Sequence, residues 1–532
     1  MSFSFNLVDQ PWIPSRFLTG SAARLGLRDV LARAPDIEQI ADPCPLVTAA
    51  LHRLLLAVLH RVFGPRTTDD WAALWNAGGW PLAPLDAYLY QWRGRFDLFD
   101  PLHPFYQVAS LDEARAVPSS KLLPELASGN NATLFDHTTD DSPPGLTPAV
   151  AATYLVAAQA FFPGGLVSTA PDGDRSAKAA PLVKGAVVMT RGRSLFETLM
   201  LNLLRYDPRT EQPFGGQSSD APAWERPAIA APEVRRPAGY LDLLTWQSRW
   251  IRLLPTVGPD APTEIRSVIV TKGTEFPGDF TLRDHETMIA FRKSTKGDAP
   301  WLPVAFSPSR VLWRDSLAML QSIPARQARP RIVDWLGQLT DEARVETRAT
   351  ISMDVLGLSS DQAKLLFWRH ERFALPPAYV GRDGDLLLGR VRIALDASEV
   401  AAAALWEAAK RLAREVLEGT GARTDPKRIT EIAERFGIAR AYWSRLELPF
   451  RRMFEALPGV PEAELATGYP GPLAVFVDSV ERVARQAWAE ALSGLDGPRT
   501  LRAATIADDW FQPALAARVK KALGLMPEEV SS

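Results

Sequence analysis

The feature that most constrains this chain is a change of hydrophobic period late in its length. Up to about Ser398, short strand-like runs are mixed with isolated helical stretches. Beyond it the sequence is alanine-rich, with Leu405, Ala409, Leu412 and Val416 spaced at i, i+4, i+7 and i+11 ahead of Gly419 and Gly421. That spacing predicts a long amphipathic helix. Asp425-Pro426 supplies a cap and first helical position for a second, Ile438 to Leu457 predicts a third with a kink at Pro449, Leu473 to Leu492 a fourth, and Pro513 to Leu523 a helical tail. Helices of this kind joined by short loops make a bundle. The expectation is an α+β fold, with a large mixed N-terminal globular domain over 1–395 followed by a C-terminal four-helix bundle over 396–532. A chain of 532 residues with 46% hydrophobic content can bury two such cores.

Within the first domain, Phe3, Phe5 and Leu7 alternate before Pro11 and predict a short N-terminal strand. Leu46, Ala49, Leu54, Val58 and Val62 predict a buried helix from Pro45 to Phe63. Thr147 to Phe162 reads as a helix ended by Pro163-Gly164-Gly165, and a polar stretch through Ala180 leads to a strand at Ala186 to Met189. Prolines crowd the segment from Pro208 to Gly239, which predicts a long surface excursion. Strand-like runs at Ser267 to Thr271 and Met288 to Phe291 bracket a loop holding Lys272-Gly273, and Arg292-Lys293 follows the second.

Charge gives no help with function. The chain has 60 basic and 62 acidic residues and a net charge of −2, so any surface for nucleic acid must be local. Such an excess exists at residues 410 to 452, which hold 11 Lys or Arg against 6 acids, although the whole stretch 398 to 532 balances at 18 against 19. Backbone binding and a merely solvated helix face both fit that pattern. The single cysteine, Cys44, excludes a disulfide framework and a cysteine-rich zinc site. The N-terminus has no basic head or apolar leader, and no stretch is read as approaching a membrane span, so a cytoplasmic protein without a membrane partner is expected.

Catalytic tools are not evident. No P-loop, zincin helix or nucleophile elbow occurs, and none of the six histidines pairs with another at metal-ligand spacing. Arg283-Asp284-His285-Glu286 is the densest polar cluster, read as a solvated turn; a metal-dependent nuclease using Asp284 and Glu286 is the rival. Asp140-Asp141, before Ser142-Pro143-Pro144, reads as a loop. The chain is therefore expected to be no enzyme, with no catalytic residue, metal or cofactor.

Several short motifs occur in a specific order: Phe5-Asn6-Leu7-Val8-Asp9-Gln10-Pro11-Trp12-Ile13-Pro14, His103-Pro104-Phe105, Ser128-Gly129-Asn130-Asn131-Ala132-Thr133-Leu134-Phe135-Asp136-His137, and Thr245-Trp246-Gln247, ahead of the terminal bundle. In that order and spacing the chain resembles the CasA family, the large subunit of the type I-E CRISPR Cascade complex, over essentially its whole length.

The resemblance implies a subunit that works with a guide RNA, recognises a protospacer-adjacent motif in double-stranded DNA through the minor groove, begins strand separation and recruits a separate helicase-nuclease. The backbone, handle-binding and small subunits of the same particle would be its other partners. Base pairing would read the rest of the sequence. By that likeness Gly164 and Gly165 approach the groove through their backbone and Lys272 contacts the motif bases. Gln362, beside Asp361, is the strand-separating wedge; Arg292, Lys293 and Lys296 hold the DNA backbone; and Asn130, Asn131 and Phe135 contact the RNA handle and neighbouring subunits. Local physics permits each role: glycine lets backbone approach base edges, and a wedge must fill the gap it opens. Read on their own residues, Pro163-Gly164-Gly165 is a helix C-cap, Lys272 a solvated charge, and Ser359-Ser360-Asp361-Gln362 a helix N-terminus. A purely structural scaffold of the same particle is the remaining alternative.

Overall fold

A three-stranded antiparallel sheet opens the chain in the computed structural model, in the order β2-β1-β3, from β1 (Ile13–Phe17), β2 (Ala22–Leu25) and β3 (Ile37–Ile40), with α1 (Leu27–Ala32) inserted before β3. The structure describes residues 3–123, 143–207, 210, 212–227, 231–256, 263–294, 300–307, 310–361, 364–419 and 425–524. The strand expected at Phe3 to Leu7 does not form. Asn6 turns the chain instead: its Oδ1 accepts from the Val8 N–H at 3.1 Å and its Nδ2 donates to the Arg93 carbonyl at 2.9 Å. Side-chain hydrogen bonding of this kind competes with strand pairing, so the alternation of Phe3, Phe5 and Leu7 was not sufficient.

Helix α2 (Pro45–Phe63) forms as predicted, with Pro45 at its first position and burial running from Pro45 to His60. By length and hydropathy it is able to cross a membrane, which corrects the expectation that no stretch approaches that; 83% of its apolar window is buried inside the protein. Three of its polar members have internal partners. Arg53 pairs with Glu286 at 2.9 Å with both side chains almost fully buried, and the Nδ1–H groups of His52 and His60 donate to the Thr48 and Leu56 carbonyls, each at 2.8 Å. Burial pushes both imidazoles down to about 4.

The first part of the chain continues through α3 (Thr68–Ala77), α4 (Leu82–Trp92), β4 (Val117–Pro118), α5 (Pro148–Phe161), β5 (Gly165–Leu166), β6 (Ser176–Ala177), β7 (Val187–Arg191), α6 (Leu195–Leu201) and α7 (Tyr240–Leu244). Then come β8 (Arg249–Thr256), β9 (Glu264–Lys272), β10 (Phe291–Lys293), β11 (Trp301–Pro303), α8 (Ser316–Leu320), β12 (Gln327–Ala328), α9 (Arg331–Asp341), β13 (Ser352–Asp361) and β14 (Lys364–Ala374). The strands assemble as small antiparallel sheets in the orders β4-β9-β8, β11-β10-β12 and β14-β13-β7, with β5-β6 as a separate pair. The run Met288 to Phe291 is a strand only from Phe291, Ile289 making one isolated bridge to Val187. The proline-rich excursion is anchored by buried groups: Trp224 is buried, and the Asp220 carboxylate caps α7 by accepting the N–H groups of Leu241 and Asp242, each at 3.0 Å.

Two compact units result, one of Met1–Pro308 with Gln321–Pro377 and one of Ser309–Leu320 with Ala378–Ser532. The division falls at Pro377 and not between 395 and 396, because α10 (Gly384–Gly419) is one unbroken helix that passes through the expected boundary. The second unit adds α11 (Pro426–Arg435), α12 (Ile438–Ala456), α13 (Glu462–Ala466), α14 (Gly471–Ser493) and α15 (Pro498–Ala522). Ala394, Ala397, Ala401, Ala404 and Ala408 form a buried small-residue stripe along α10, which packs against α11, α12, α14 and α15. Helix α12 continues through Pro449, and α15 through Pro513, so Pro513 lies inside a helix and does not begin one. Segment 309–320 joins this unit through Trp313, which stacks on Phe450 at 4.6 Å, and through Arg314, which pairs with Glu399 and lies over the Trp443 ring.

Candidate nucleic-acid interface

The turn after α5 is built around its glycines. The helix ends at Phe161 with Phe162 already extended, so Gly164 and Gly165 are not its C-cap and the local reading of them is corrected. They open the β5-β6 hairpin, in which Gly165 pairs with Ala177 and Leu166 with Ser176. A Cβ on Gly164 would lie 2.9 Å from the Ala179 nitrogen and 3.2 Å from the Ala177 oxygen, and Gly165 sits at φ 134°, where side chains are strained. Next to them Leu166 is 75% exposed, so this edge faces solvent.

The base of the hairpin is fixed by a residue that sequence reasoning missed. Arg249, the first residue of β8, is 2% exposed; it donates to the carbonyls of Ser248 at 2.7 Å, Pro163 at 2.9 Å and Lys178 at 2.6 Å, with its guanidinium over the Phe162 ring. Burial lowers its pKa to about 10, which leaves it charged at neutral pH. A cation that donates to main-chain oxygens on both arms of a turn clamps them together. Nothing in the local sequence marks the arginine, because Pro163 and Lys178 lie more than seventy residues away.

Lys272 ends β9 and reaches the tip of the same hairpin. Its Nζ lies 2.6 Å from Asp172 and 2.9 Å from Asp174, and its side chain is only 16% exposed. The hydrogen bonds with Asp172 and Asp174 raise the lysine's pKa, and those with Lys272 lower both carboxyls. Gly173, at φ 86°, makes the turn between the two acids. Thus Gly164 and Gly165 lie at the base of a hairpin whose tip is held by Lys272 of β9, with the lysine paired and not solvated.

Asp361 is the last residue of β13, facing Lys364 in the register of the β13-β14 hairpin; Gln362 lies outside the described residues. This corrects the local reading of Ser359 to Gln362 as a helix N-terminus, since Ser359 and Ser360 belong to β13 and Leu365 to Trp368 to β14. The hairpin is stapled across its sheet. Burial pushes the Asp354 carboxyl of β13 up, but His370 and Arg372 of β14, assisted by Arg191 of β7, hold it well below the usual carboxylate range.

Arg292 and Lys293 are both exposed on β10, which pairs with β11 on the far side of residues 295–299. Lys296, together with Asn130, Asn131, Phe135, Asp140 and Asp141, lies outside the described residues. In the second unit Arg445 pairs with Glu490 and Arg411 lies over the Trp510 ring, whereas Arg414, Lys427, Arg428, Arg435, Arg440 and Arg452 are exposed. The Arg283 to Glu286 cluster does not converge. Glu286 points into the core against Arg53, while Asp284 is 54% exposed beside Arg283.

The family model described as CRISPR-associated protein Cse1 matches residues 6–494. A CRISPR-associated protein CasA/Cse1 of Thermus thermophilus is 38% identical over 467 residues, spanning 85% of this chain and 87% of its own. The crystal structure of Thermus thermophilus CasA superposes with a TM-score of 0.79 at 32% identity, covering 97% of this chain and 100% of that one. A chain of a CRISPR RNA-guided surveillance complex has the same fold, with a TM-score of 0.77 at 24% identity over 96% of this chain and 99% of its own. With the motifs, the fold and a relative matched over most of both chains, this chain belongs to the CRISPR-associated Cse1 family, also called CasA.

Proposed function

We propose that the chain is the non-catalytic large subunit of a type I-E Cascade complex in the cytoplasm. In this reading it recognises the protospacer-adjacent motif from the minor groove, starts strand separation for R-loop formation and recruits the helicase-nuclease. The observation that carries it is a solvent-facing hairpin with Gly164 and Gly165 at its base and Lys272 of the neighbouring β9 against its tip. Backbone close to base edges and a neighbouring cation suit the minor groove, whose donor and acceptor pattern is degenerate and rewards shape over side-chain readout. The surveillance-complex chain of like fold supports assembly with a guide RNA and partner subunits. In the same reading Gln362, which follows Asp361 in sequence, is the wedge, Arg292, Lys293 and Lys296 hold the duplex backbone, and Asn130, Asn131 and Phe135 meet the RNA handle.

The decisive experiment is co-expression with the neighbouring genes, followed by strand-opening assays on a guide-matched duplex with the wild type and Gln362→Ala. The wild type should purify in a stoichiometric RNA-containing particle, and the variant should assemble but lose at least about tenfold in opening rate. A chain that purifies alone and RNA-free removes the reading. Unchanged opening by the variant would leave only a scaffold. Plasmid cleavage by the purified chain with magnesium, lost on changing Asp284 and Glu286, would instead make it a nuclease.

A further inference from the structure

Lys272 is the residue proposed above to meet the motif bases, yet it is held by two carboxylates. Asp172 and Asp174 flank Gly173 at the hairpin tip, and both reach Lys272 Nζ, at 2.6 and 2.9 Å. The two acids are themselves positioned by the turn: Asp172 Oδ1 accepts from the Asp174 N–H at 3.2 Å and Asp174 Oδ1 accepts from the Ser176 N–H at 2.9 Å. Each acid therefore offers one oxygen to the turn and the other to the lysine. At its other end the hairpin is clamped by buried Arg249, as described. Along its length the Ser168 N–H donates to the Val270 carbonyl at 2.9 Å and Arg115 Nη1 to the Thr169 carbonyl at 2.5 Å, so the ion pairs with Lys272 tie only the tip turn.

We propose that Asp172 and Asp174 are specificity-determining residues that latch Lys272 until a correct motif displaces them. The inference rests on the motif-reading role of Lys272. Any duplex must exchange its own contacts with the lysine for those of two carboxylates, and the same carboxylates repel the phosphates of a duplex that approaches without a matching groove. Exposed ion pairs are individually weak, so the latch is a threshold that a few base contacts overcome. Its effect is greatest on DNA that offers only backbone attraction, which is the population a surveillance protein must release quickly. The latch thus lowers background binding more than it lowers motif binding.

The test uses the full chain assembled with its guide RNA and partner subunits, and a pool of guide-matched duplexes carrying four randomised base pairs beside the matched segment. Asp172→Asn with Asp174→Asn keeps one oxygen on each side chain to cap the turn and puts an uncharged NH2 in place of the carboxylate oxygen that faces Lys272. This double variant should raise average retention of the pool roughly two- to tenfold while raising the best motifs less, so that discrimination falls. Lys272→Ala should lower retention of the best motifs, and adding it to the double variant should abolish the gain. Unchanged pool retention by the double variant, with Lys272→Ala still harmful, overturns the latch and leaves the motif reading standing. Lys272→Ala without effect in either background overturns the motif reading and the latch with it. A gain that persists in the triple variant shows that the acids act by bulk repulsion, and also overturns the latch.

Discussion

The two hairpins of the first unit reach their positions by opposite means. The β13-β14 hairpin pairs over ten register positions, is extended by β7 and is stapled through Asp354 to side chains on both neighbouring strands. The β5-β6 hairpin has two residues per strand, and what fixes it comes from elsewhere in the chain, Arg249 at its base, Arg115 and Val270 along its length and Lys272 at its tip. A long ladder carries its own rigidity; a short one borrows it from side chains, and borrowed rigidity can be released. A wedge that must push base pairs apart suits the first construction, and a reader that must let go of wrong DNA suits the second.

The comparison breaks most sharply at Arg249. Replacing it with Met leaves the carbonyls of Ser248, Pro163 and Lys178 buried without a donor, and should destabilise the first unit by about 4 kcal/mol. Hydrogen exchange should show residues 163–180 losing protection first, with β13 and β14 unaffected; uniform loss would mean that the short hairpin is not separately held. Acidification probes the common floor, since α2 packs against both α5 and β13. His52 and His60 have pKa values near 4 in the fold and near 6.5 unfolded, so the unfolded chain binds more protons between those values. Stability is full above about pH 6.5 and falls as pH drops toward 4, by about 3 kcal/mol per histidine. Thermal melts across that window should show the slope, and His52→Asn with His60→Asn should flatten it. The smallest effect belongs to Asp354→Asn, whose partners Arg372 and His370 already reach solvent. A loss of about 2 kcal/mol, with exchange raised along β13-β14 and not at residues 163–180, is expected.

How far the chain was legible follows the range of the forces involved. Helices α2, α5, α12 and α14 were readable because their periodicity and caps are local, as with Pro45 and Thr147. The β13-β14 hairpin was not. Ser359, Ser360 and Asp361 have the chemistry of a helix cap, and only their pairing with Phe367, Leu365 and Lys364 of β14 decides for strand. Gly164, Gly165 and Lys272 could be named from a family likeness, but the placing of the lysine against the glycines' hairpin could not, nor could the lysine's two carboxylate partners, which lie far earlier in the chain. The same limit hid Arg249, a lone arginine at a strand start whose partners appear only when the chain is folded.

The helical unit has a consequence for how the protein is made. Its segment 309–320 is encoded inside the first unit, so the chain passes between the units three times, after Pro308, Leu320 and Pro377. During synthesis Trp313 and Arg314 emerge well before Trp443 and Phe450, the rings they will meet, and must wait for some 130 further residues. A fragment beginning at Ala378 would lack that tryptophan and the guanidinium that pairs with Glu399. The bundle is therefore not a detachable module that a gene fusion or a simple truncation could transplant intact, and variants of it are best made within the whole chain.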